Sequence, residues 1–565
     1  MTPSEQEEEI SPKHSPKQQS QDITNDNDVD STALLNSVSV SSELSYSTSQ
    51  RRKSLTKKPM DPSLLTPEYI EEQRRLRNLR KEQERKEKEA LGLIPKQDEV
   101  KDPFIKRPLL EVSKPDPEKG PIIRIMSYNI LAQTLIRREL FPTNGKILKW
   151  SIRSQVLLAE IKHYNADILC LQELDRLQFK TFWITEFEKL GYTTKFYRFN
   201  TKNHGVAIVF KSNLFICKHQ SFIKYDQDII HEPNEKKLPG ARIVTNNVGF
   251  MAYLEFQPHL IKQFPNLAKR NGIIMGNTHL FWHPFGTFER CRQTYMILHK
   301  YKEFARVLSI ILGNSKGFYS FFAGDMNSEP FDAPYLSITA KPITYKGQTK
   351  NVLGCSLSYT YSKIRALDEE GEKHPNDNTK HRNVDTKNNN QDNNNNEEDD
   401  NDEEVEEDER REDVEDVQRN NPTNPEPEVF NPTPEQEELI QQLQEAHNSL
   451  DIRAISLYSA GYKLVHPENS GNNNDRNEPN FSNWVGVWNG LLDYLLILTK
   501  WDVKTEDYSS QVDTPEEIES RCNVKLLKLL KMPLDNEMGP QPNGQPRINQ
   551  YPSDHLCIMA ELQLL

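Results

Sequence analysis

The side chains that could do chemistry in this 565-residue chain are acids, amides and histidines that stand at the ends of short apolar runs. A polar group buried in such surroundings without a partner costs about 2–7 kcal/mol. Repeated placements of this kind therefore need an explanation. In chain order they are Met126-Ser-Tyr-Asn129, Cys170-Leu-Gln-Glu173, Asn277-Thr-His279, Gly324-Asp325-Met-Asn327, Leu492-Asp493-Tyr494 and Pro552-Ser-Asp554-His555.

Each placement by itself has an ordinary structural explanation, because an Asn after a strand is usually a turn residue and a lone His is usually a hydrogen-bonded core residue. All of them together favour a site, since strand ends on one rim of an α/β sandwich converge. Oxygen ligands without thiolates select Mg²⁺ or Mn²⁺ over zinc. With a carboxylate to activate water and cations to offset charge on phosphate, the set indicates metal-dependent phosphodiester hydrolysis.

The elements that must position these residues are short strands that alternate with helices. The apolar residues that follow Trp150 and Phe288 recur at the spacing of an α-helix. Interleaved strands and helices predict an α/β domain with helices packed outside the sheets. The apolar or alternating runs that predict strands are 122–131, 166–174, 205–211, 248–256, 272–281, 319–323, 491–498 and 557–564.

Composition divides the chain into three parts. Residues 1–66 are rich in Ser, Gln, Asp and Thr and are predicted to be a disordered tail. Residues 67–120 are predicted to be a charged helix followed by a linker. Residues 121–565 are predicted to be one domain, interrupted at about 368–433 by a disordered Asn-rich and acidic insertion. A surface loop tolerates such an insertion because closure entropy grows only logarithmically with length.

The formal net charge of −13 belongs to this insertion. Residues 397–416 hold 15 acidic residues and two basic ones, so the rest of the chain is neutral overall. The charge therefore does not argue against a polyanionic substrate. We expect the acidic tract to be a solvated loop; the alternative is that it competes with RNA for a basic face or contacts basic proteins.

The sequence also limits the compartment. No run of about 18 apolar residues occurs, so no membrane association is predicted. The first ten residues carry four Glu and no Lys or Arg, the wrong sign for a secretory or mitochondrial targeting segment. The six cysteines form no C-x-x-C pair. We expect an intracellular protein with reduced cysteines, in the nucleus, nucleolus or cytoplasm and not secreted.

Taken in order, the polar placements resemble the endonuclease/exonuclease/phosphatase superfamily, in the branch of the carbon-catabolite-repressor deadenylases and nocturnin. Within it the chain is most similar to the fungal Ngl group of RNA exonucleases, of the 5.8S rRNA-processing type. The resemblance covers residues 121–565 apart from the insertion. Residues 1–120 lack the leucine-rich repeats of the catalytic deadenylase subunit. The resemblance implies a four-layer α/β sandwich, with two packed mixed sheets flanked by helices.

The resemblance also implies roles for the matching residues. Glu173 would be the central Mg²⁺ ligand, and Asn129 and Asp554 would complete the metal and water shell. The other implied roles are water activation by Asp325, phosphate binding by Asn327, stabilisation of the phosphorane charge by His279 and His555, and support of the site by Asp493.

Pro284 and Trp488 match positions where deadenylase relatives hold the terminal base. An aromatic face would stack on a base there, worth about 1–3 kcal/mol. The family commonly has Phe where Trp488 stands, so an adenine preference stays open, as does a role for Trp488 in core packing. Further candidates for phosphate or scaffold contacts are Arg153, Arg242, Arg290 and Gln293.

Three functions are compatible with these features. The first is a Mg²⁺-dependent exonuclease that acts on a single-stranded RNA 3′ end, releases nucleoside 5′-monophosphates and matures 5.8S rRNA, with pre-ribosomal particles as partners. The second is a poly(A) deadenylase or a nocturnin-like phosphatase. The third is a nonenzymatic RNA-binding assembly factor. Loss of catalysis would be expected to show as replaced motif residues, and none is replaced, so we expect an enzyme.

Overall fold

The computed structural model describes residues 102–137, 140–142, 144–230, 238–359 and 432–565, together with Arg75. The chain divides into two compact units, residues 1–94 and 95–565. Of the first unit only Arg75 is described, as part of a helix. The predicted tail at 1–66, most of the predicted helix after residue 67, and the insertion up to residue 431 lie outside the described residues.

Two large mixed sheets and one small hairpin contain the strands of the second unit. The strands are β1 (Leu109–Glu111), β2 (Ile122–Asn129), β3 (Ile168–Asp175), β4 (Tyr192–Tyr197), β5 (His204–Lys211), β6 (Phe215–Lys224), β7 (Val248–Phe256), β8 (Ile273–His279), β9 (Tyr319–Asp325), β10 (Ile452–Ser456), β11 (Asn483–Val485), β12 (Trp488–Gly490), β13 (Asp493–Lys500), β14 (Val524–Leu530) and β15 (Ile558–Leu564). The first sheet has the order β1-β14-β15-β2-β3-β5-β4 and the second the order β10-β13-β9-β8-β7-β6, while β11 pairs with β12.

Helices connect and cover these strands. The α-helices are Trp150–Tyr164, Arg176–Gln178, Ile184–Lys189, Pro258–Gln263, Thr287–Ile311, Ala333–Thr339, Gln348–Ser358, Pro434–Ser449, Leu457–Val465 and Pro515–Cys522. Short 3₁₀ or π turns are Gln133–Leu135, Gly145–Leu148, Phe179–Trp183, Pro265–Lys269, Pro467–Asn469 and Asp535–Glu537. Within the described ranges, every helix is too short or too polar to cross a membrane.

Each large sheet contains one parallel pair, β2 with β3 and β8 with β9. A parallel pair needs a crossover connection, and the helices Trp150–Tyr164 and Thr287–Ile311 provide one each. Both helices pack on the outer face of their own sheet, where Leu157 meets Met126 and Leu298 meets Met251 in two apolar clusters.

The inner faces of the two sheets form the central core. Ile125 and Ile168 of the first sheet share one buried cluster with Phe250 and Phe321 of the second. Neighbouring residues such as Met126 point to the outer layer instead, as the period of two in a strand requires. The result is four layers, helix, sheet, sheet and helix, which confirms the predicted α/β sandwich.

All eight strands and both helices predicted from the sequence are present. The sequence pattern missed β1, β4, β6, β10, β14 and the hairpin β11–β12. The strand β6 illustrates the reason. It lies at the edge of its sheet, and the exposed polar residues Lys218 and Gln220 interrupt its apolar pattern. A half-solvated strand of this kind shows little of the apolar signal on which the prediction depends.

Residues 102–120, predicted to be a linker, are instead part of the folded unit. β1 pairs antiparallel with β14 at the edge of the first sheet. Phe104 and Arg107 are buried, and Nη2 of Arg107 donates to the carbonyl oxygen of Cys557 at 2.8 Å. The sequence could not predict this, because a three-residue strand surrounded by Lys and Pro has no measurable period.

Candidate active site

The polar residues singled out in the sequence meet at one rim of the sandwich. β2, β8 and β9 end there with Asn129, His279 and Asp325. β13 runs antiparallel to β9 and begins there with Asp493, which pairs directly with Asp325. β15 runs antiparallel to β2, so His555, three residues before the start of β15, stands at the same rim.

Glu173 enters this rim through an irregularity in β3. The register between β3 and β5 shifts between Leu171 and Leu174, and Glu173 has a φ of 56°. This conformation costs a non-glycine residue about 1–3 kcal/mol and persists only where its surroundings hold it. Here the N–H of Ala132 donates to Oε2 of Glu173 at 2.9 Å. The bulge therefore aims a fixed carboxylate at the rim.

Asn129 links the two central carboxylates. Its Nδ2 lies 3.0 Å from Oε1 of Glu173 and 3.0 Å from Oδ2 of Asp325. Its Oδ1 accepts the N–H of Leu131 at 3.0 Å. In this orientation the amide N–H groups of Asn129 face both carboxylates and fix their positions.

The electrostatics of Glu173 keep it ionised. Burial would raise the pKa of Glu173, but the His279 and His204 rings, the Asn129 amide and the Ala132 N–H together outweigh burial and lower that pKa. Glu173 and His279 keep 11% and 14% of their side chains exposed, whereas Asp325 keeps 1%. Glu173 and His279 are therefore the members of this trio that solvent reaches most easily.

His555 is held from behind by Asp493. Nδ1 of His555 lies 2.7 Å from Oδ2 of Asp493, and the hydroxyl of Ser482 donates to the same oxygen at 2.7 Å. Burial alone would lower the pKa of His555, but the carboxylates of Asp493 and Asp325 raise it well above its ordinary value. The two carboxylates thus favour the protonated ring, whose Nε2 lies 3.6 Å from Oδ2 of Asp325.

Asp325 lies between two histidines. Its Oδ2 is 3.6 Å from Nε2 of His279 and 3.6 Å from Nε2 of His555. Its Oδ1 accepts the N–H of Asn327 at 2.8 Å. The side chain of Asn327 donates to the carbonyl oxygen of Leu280 at 3.0 Å, which leaves one N–H of that amide for another acceptor.

The buried acids of this rim fit a divalent cation. Burial and the negative charge of Glu173 raise the pKa of Asp554 to about 6, although His555 opposes this shift. A carboxylate in such a position is stabilised by a nearby positive ion. Carboxylate oxygens without thiolates suit Mg²⁺ or Mn²⁺. Glu173 and Asp554 are the residues that could hold the ion.

A second grouping of possible ligands consists of Asp325, Asp493 and His555, whose ligand atoms lie within 4.8 Å of one another. The contact between His555 and Asp493 is a 2.7 Å hydrogen bond, which requires a proton between the two atoms. Nδ1 of His555 and Oδ2 of Asp493 are therefore already paired with each other. This grouping is better suited to holding charge and moving protons than to binding a hard cation.

Pro284 follows the end of β8, and Trp488 is the first residue of β12. Pro284 is buried and Trp488 is partly exposed. Trp488 belongs to the hairpin β11–β12, and this hairpin reaches the site directly, because Asn483 forms a bridge with His555 and the N–H of Trp484 donates to the carbonyl oxygen of Asp554 at 2.8 Å. The half-exposed indole is thus available for contact at the border of the site.

The four further candidates all bind the scaffold. Arg153 donates to the carbonyl oxygen of Ile130, Arg242 to that of Leu357, and Arg290 to those of Phe281 and His283. The side-chain oxygen of Gln293 accepts the N–H of Phe281 at 3.0 Å. These contacts fix the loops that carry the site, which favours the scaffold interpretation over phosphate binding.

Sequence reasoning missed two supporting residues. Ser482 holds Asp493, and no spacing in the sequence relates the two. Asn277 was noted only as part of a motif. Its Nδ2 donates across the sandwich to the carbonyl oxygens of Leu171 and Ala207 at 2.9 and 2.8 Å, which ties the two sheets together below His279.

Replacement of Gly324 by Ala is expected to destabilise the fold by about 3 kcal/mol and to lower activity. Gly324 has a φ of 151°, and a Cβ there would lie 2.2 Å from the carbonyl oxygen of Thr278. The strain would separate β8 from β9 next to His279 and Asp325. Thermal unfolding measures it, and Gly240→Ala, an exposed position with open space, is the control. Equal melting temperatures for the two variants would contradict the close approach of Gly324 to the carbonyl oxygen of Thr278.

This chain is similar to known proteins over most of its length. A model of the Endonuclease/Exonuclease/phosphatase family matches residues 126–363. RNA exonuclease NGL2 of Saccharomyces cerevisiae is 40% identical over 521 residues, which cover 91% of this chain and 92% of that protein. Probable RNA exonuclease NGL3 of the same yeast is 34% identical over 82% of each chain.

Among solved structures, ANGEL2, a 2′,3′-cyclic phosphatase in complex with adenosine-2′,3′-vanadate, aligns with a TM-score of 0.46 and 19% identity over 82% of this chain and 99% of that chain. The sequence relatives decide the classification, because they exceed 30% identity over most of both chains. This chain belongs to the endonuclease/exonuclease/phosphatase family.

Proposed function

We propose that this protein is a Mg²⁺-dependent RNA exonuclease that shortens a single-stranded 3′ end and releases nucleoside 5′-monophosphates. The observation that carries the proposal is the placement of Asp325 between His279 and His555, with its Oδ2 3.6 Å from Nε2 of each ring. A carboxylate flanked by two basic groups can activate water at a phosphodiester while the rings offset the charge that develops.

The residues divide the work as follows. Asp325 orients the attacking water and takes its proton. Asn129 holds the carboxylates of Asp325 and Glu173 next to each other through one 3.0 Å hydrogen bond to each. His279 and His555 donate to the phosphoryl oxygens, and Asn327 contributes its remaining N–H. Glu173 and Asp554 would hold the metal ion. When bound, Mg²⁺ would polarise a phosphoryl oxygen and lower the pKa of water.

The RNA substrate is supported by the relatives named RNA exonucleases, which cover nearly the whole chain. We extend the proposal to maturation of the 3′ end of 5.8S rRNA within pre-ribosomal particles. Sequencing the 3′ ends of cellular RNA with and without an active Glu173 tests this extension. Extended 5.8S ends support it, whereas lengthened poly(A) tails would favour the deadenylase alternative.

A comparison of three substrates tests the reaction itself. We expect mixed-sequence RNA with a free 3′ hydroxyl to be shortened at a rate within about tenfold of oligo(A), because base stacking tolerates every base. A 2′-phosphorylated dinucleotide is expected to be a poor substrate. Chromatography of the released products in Mg²⁺, and again after chelation by EDTA, measures the rates and the requirement for the metal.

Circular RNA of the same sequence is the control, since an exonuclease needs an end. Cleavage of the circle would contradict an exonuclease. A preference for oligo(A) of 100-fold or more would indicate a deadenylase, and a preference for the dinucleotide would indicate a nocturnin-like phosphatase.

A further inference from the structure

One side of the sandwich is bordered by two edge strands that lead to the catalytic rim. Within the described residues, β4 is the last strand of the first sheet and β6 the last strand of the second. Tyr197 of β4 and Phe222 of β6 meet across the gap, with ring centroids 4.3 Å apart. Lys224, at the end of β6, pairs with Val248, and the preceding Asn247 donates to the carbonyl oxygen of His279 at 2.8 Å. This side therefore runs directly into the active site.

Three aromatic rings line this side, and we call Phe199, Tyr197 and Phe222 the aromatic strip. Phe222 is 45% exposed, and it stacks on buried Phe250 with ring centroids 5.4 Å apart. Tyr197 and Phe199 are partly exposed and pack against the central core. Phe199 continues the row to the rim, where it lines one small cavity together with His279. Because the core holds these rings from behind, little side-chain entropy is lost when a ligand stacks on them.

Lysines accompany the aromatic strip along its length. Nζ of Lys224 lies 6.0 Å from the centroid of the Phe199 ring. Lys202 lines the same cavity as Phe199, beside the rim. Lys195 is two residues before Tyr197 on β4, so both side chains project from the same face of that strand. Positive charge is thus spaced at intervals along the row of rings.

Two carboxylates also lie near the rim end of the aromatic strip, and both accept backbone N–H groups. Oδ2 of Asp226 accepts the N–H of Asn246 at 2.6 Å, and Oδ2 of Asp228 accepts the N–H of Lys224 at 3.2 Å. The three lysines outnumber these two acids, so this side keeps an excess of positive charge. Such an excess attracts phosphate groups.

We propose that the single-stranded RNA upstream of the scissile bond lies along the aromatic strip, with its bases on the rings and its phosphates against the lysines. This inference rests on the proposed exonuclease function. Aromatic rings stack on every base, and ammonium groups contact the backbone alone. The strip therefore binds RNA without regard to its sequence, and the affinity for RNA increases with the length of the strand.

The position of the aromatic strip fits the removal of a terminal nucleotide. In the second sheet, β8 with His279 lies on one side of β9, and β13 with Asp493 lies on the other. The hairpin β11–β12 borders the site on the Asp493 side, where Asn483 forms a bridge with His555. The released nucleotide and the remaining strand must leave the scissile phosphate in different directions. The strip provides a direction that leads away from the hairpin.

Binding of RNAs of different lengths tests the proposal. Fluorescence anisotropy in EDTA, where no metal supports cleavage, measures the affinity for RNAs of three, six and twelve nucleotides that share the same 3′ end. Wild-type protein is expected to bind the longest RNA at least about tenfold more tightly than the shortest, because each stacked base adds affinity. Phe222→Ala is expected to weaken binding of the longest RNA by about tenfold, whereas Phe222→Trp keeps an aromatic face and is expected to bind like the wild type.

The lysines are tested by the dependence of binding on salt. Each phosphate contact that is lost lowers the slope of log affinity against log salt by about one. Lys224→Ala is therefore expected to reduce this slope by about one for the longest RNA and to weaken its binding most at low salt. Lys224→Arg keeps the positive charge and is expected to keep the slope.

Ile310→Ala and Lys463→Ala are the matched controls. Ile310 is 67% exposed on the outer helix Thr287–Ile311, and Lys463 is exposed on the helix Leu457–Val465, which packs beside β13 and β14. Both variants are expected to keep the wild-type affinity at every length. Equal wild-type affinity for all lengths, or wild-type affinity in both Phe222→Ala and Lys224→Ala, overturns the role of the aromatic strip.

Release of mononucleotides in Mg²⁺, measured on the same RNAs, separates this inference from the proposed function. Nucleotide release without any dependence of binding on RNA length overturns the aromatic strip and leaves the exonuclease intact. Length-dependent binding that Phe222→Ala weakens, without release of any nucleotide by the wild-type protein, overturns the exonuclease and supports RNA binding along the strip.

Discussion

Replacement of Glu173 by Gln is expected to lower mononucleotide release from a 3′-labelled RNA by about 10³-fold or more. The substitution keeps the shape of the side chain but removes the negative charge that Glu173 maintains through its lowered pKa. Without that charge, the rim loses its most accessible anionic ligand for Mg²⁺, and the metal contributes several kcal/mol to charge stabilisation. Titration with Mn²⁺, followed by electron paramagnetic resonance, measures the accompanying loss of metal binding.

The strained backbone at Glu173 provides the control for folding. The φ of 56° is unchanged by the substitution, so the variant is expected to melt at nearly the wild-type temperature. Glu435→Gln, on the exposed first turn of the helix Pro434–Ser449, removes the same charge far from the rim. Full activity in Glu173→Gln would rule out Glu173 as the central ligand. An equal loss of activity in Glu435→Gln would show that the effect does not depend on the position of Glu173 at the rim.

The residues of the site that stand at strand ends could be predicted from local sequence patterns. Strand periodicity located the ends of β2, β8 and β9, and strand ends of one sandwich share a rim, so Asn129, His279 and Asp325 could be grouped without coordinates. The same reasoning placed Asp493 near them. Its direct pairing with Asp325 depends on the register between β13 and β9, which only the folded chain defines.

Other features depend on contacts between distant segments. Ser482 donates a hydrogen bond to Asp493 because a hairpin folds back over β13. The spacing of these residues in the sequence does not predict that contact. The bulge that turns Glu173 toward the rim involves the partner strand β5. The orientation of Asn129 is likewise set by the N–H of Leu131 and by two carboxylates from other strands. These contacts come from other parts of the fold, so the sequence alone could not predict them.

Replacement of Asp493 by Asn is expected to lower kcat by about 10²–10⁴-fold with little change in KM. Asp493 accepts the Nδ1 proton of His555 at 2.7 Å and thereby directs Nε2 toward Asp325 and the phosphate. An amide can present N–H groups to that nitrogen instead, which favours the other tautomer of the ring and removes its positive charge. This charge acts mainly on the transition state, where negative charge grows on phosphate, so kcat changes more than KM.

Two further variants separate positioning from a general loss of structure. Ser482→Ala removes the second hydrogen bond to the same oxygen and also the acceptor of the N–H groups of Leu492 and Asp493. Because each hydrogen bond is worth about 1 kcal/mol, the variant is expected to lower kcat by about fivefold or more. Asp475→Asn, a highly exposed position, is expected to have no effect. Asp493 is expected to have the larger effect and Ser482 the smaller one, because Asp493 contacts His555 directly and Ser482 acts through Asp493. Asp475 pairs with Arg476 instead. A Ser482 variant as impaired as Asp493→Asn would mean that the hairpin, rather than the carboxylate, positions the ring.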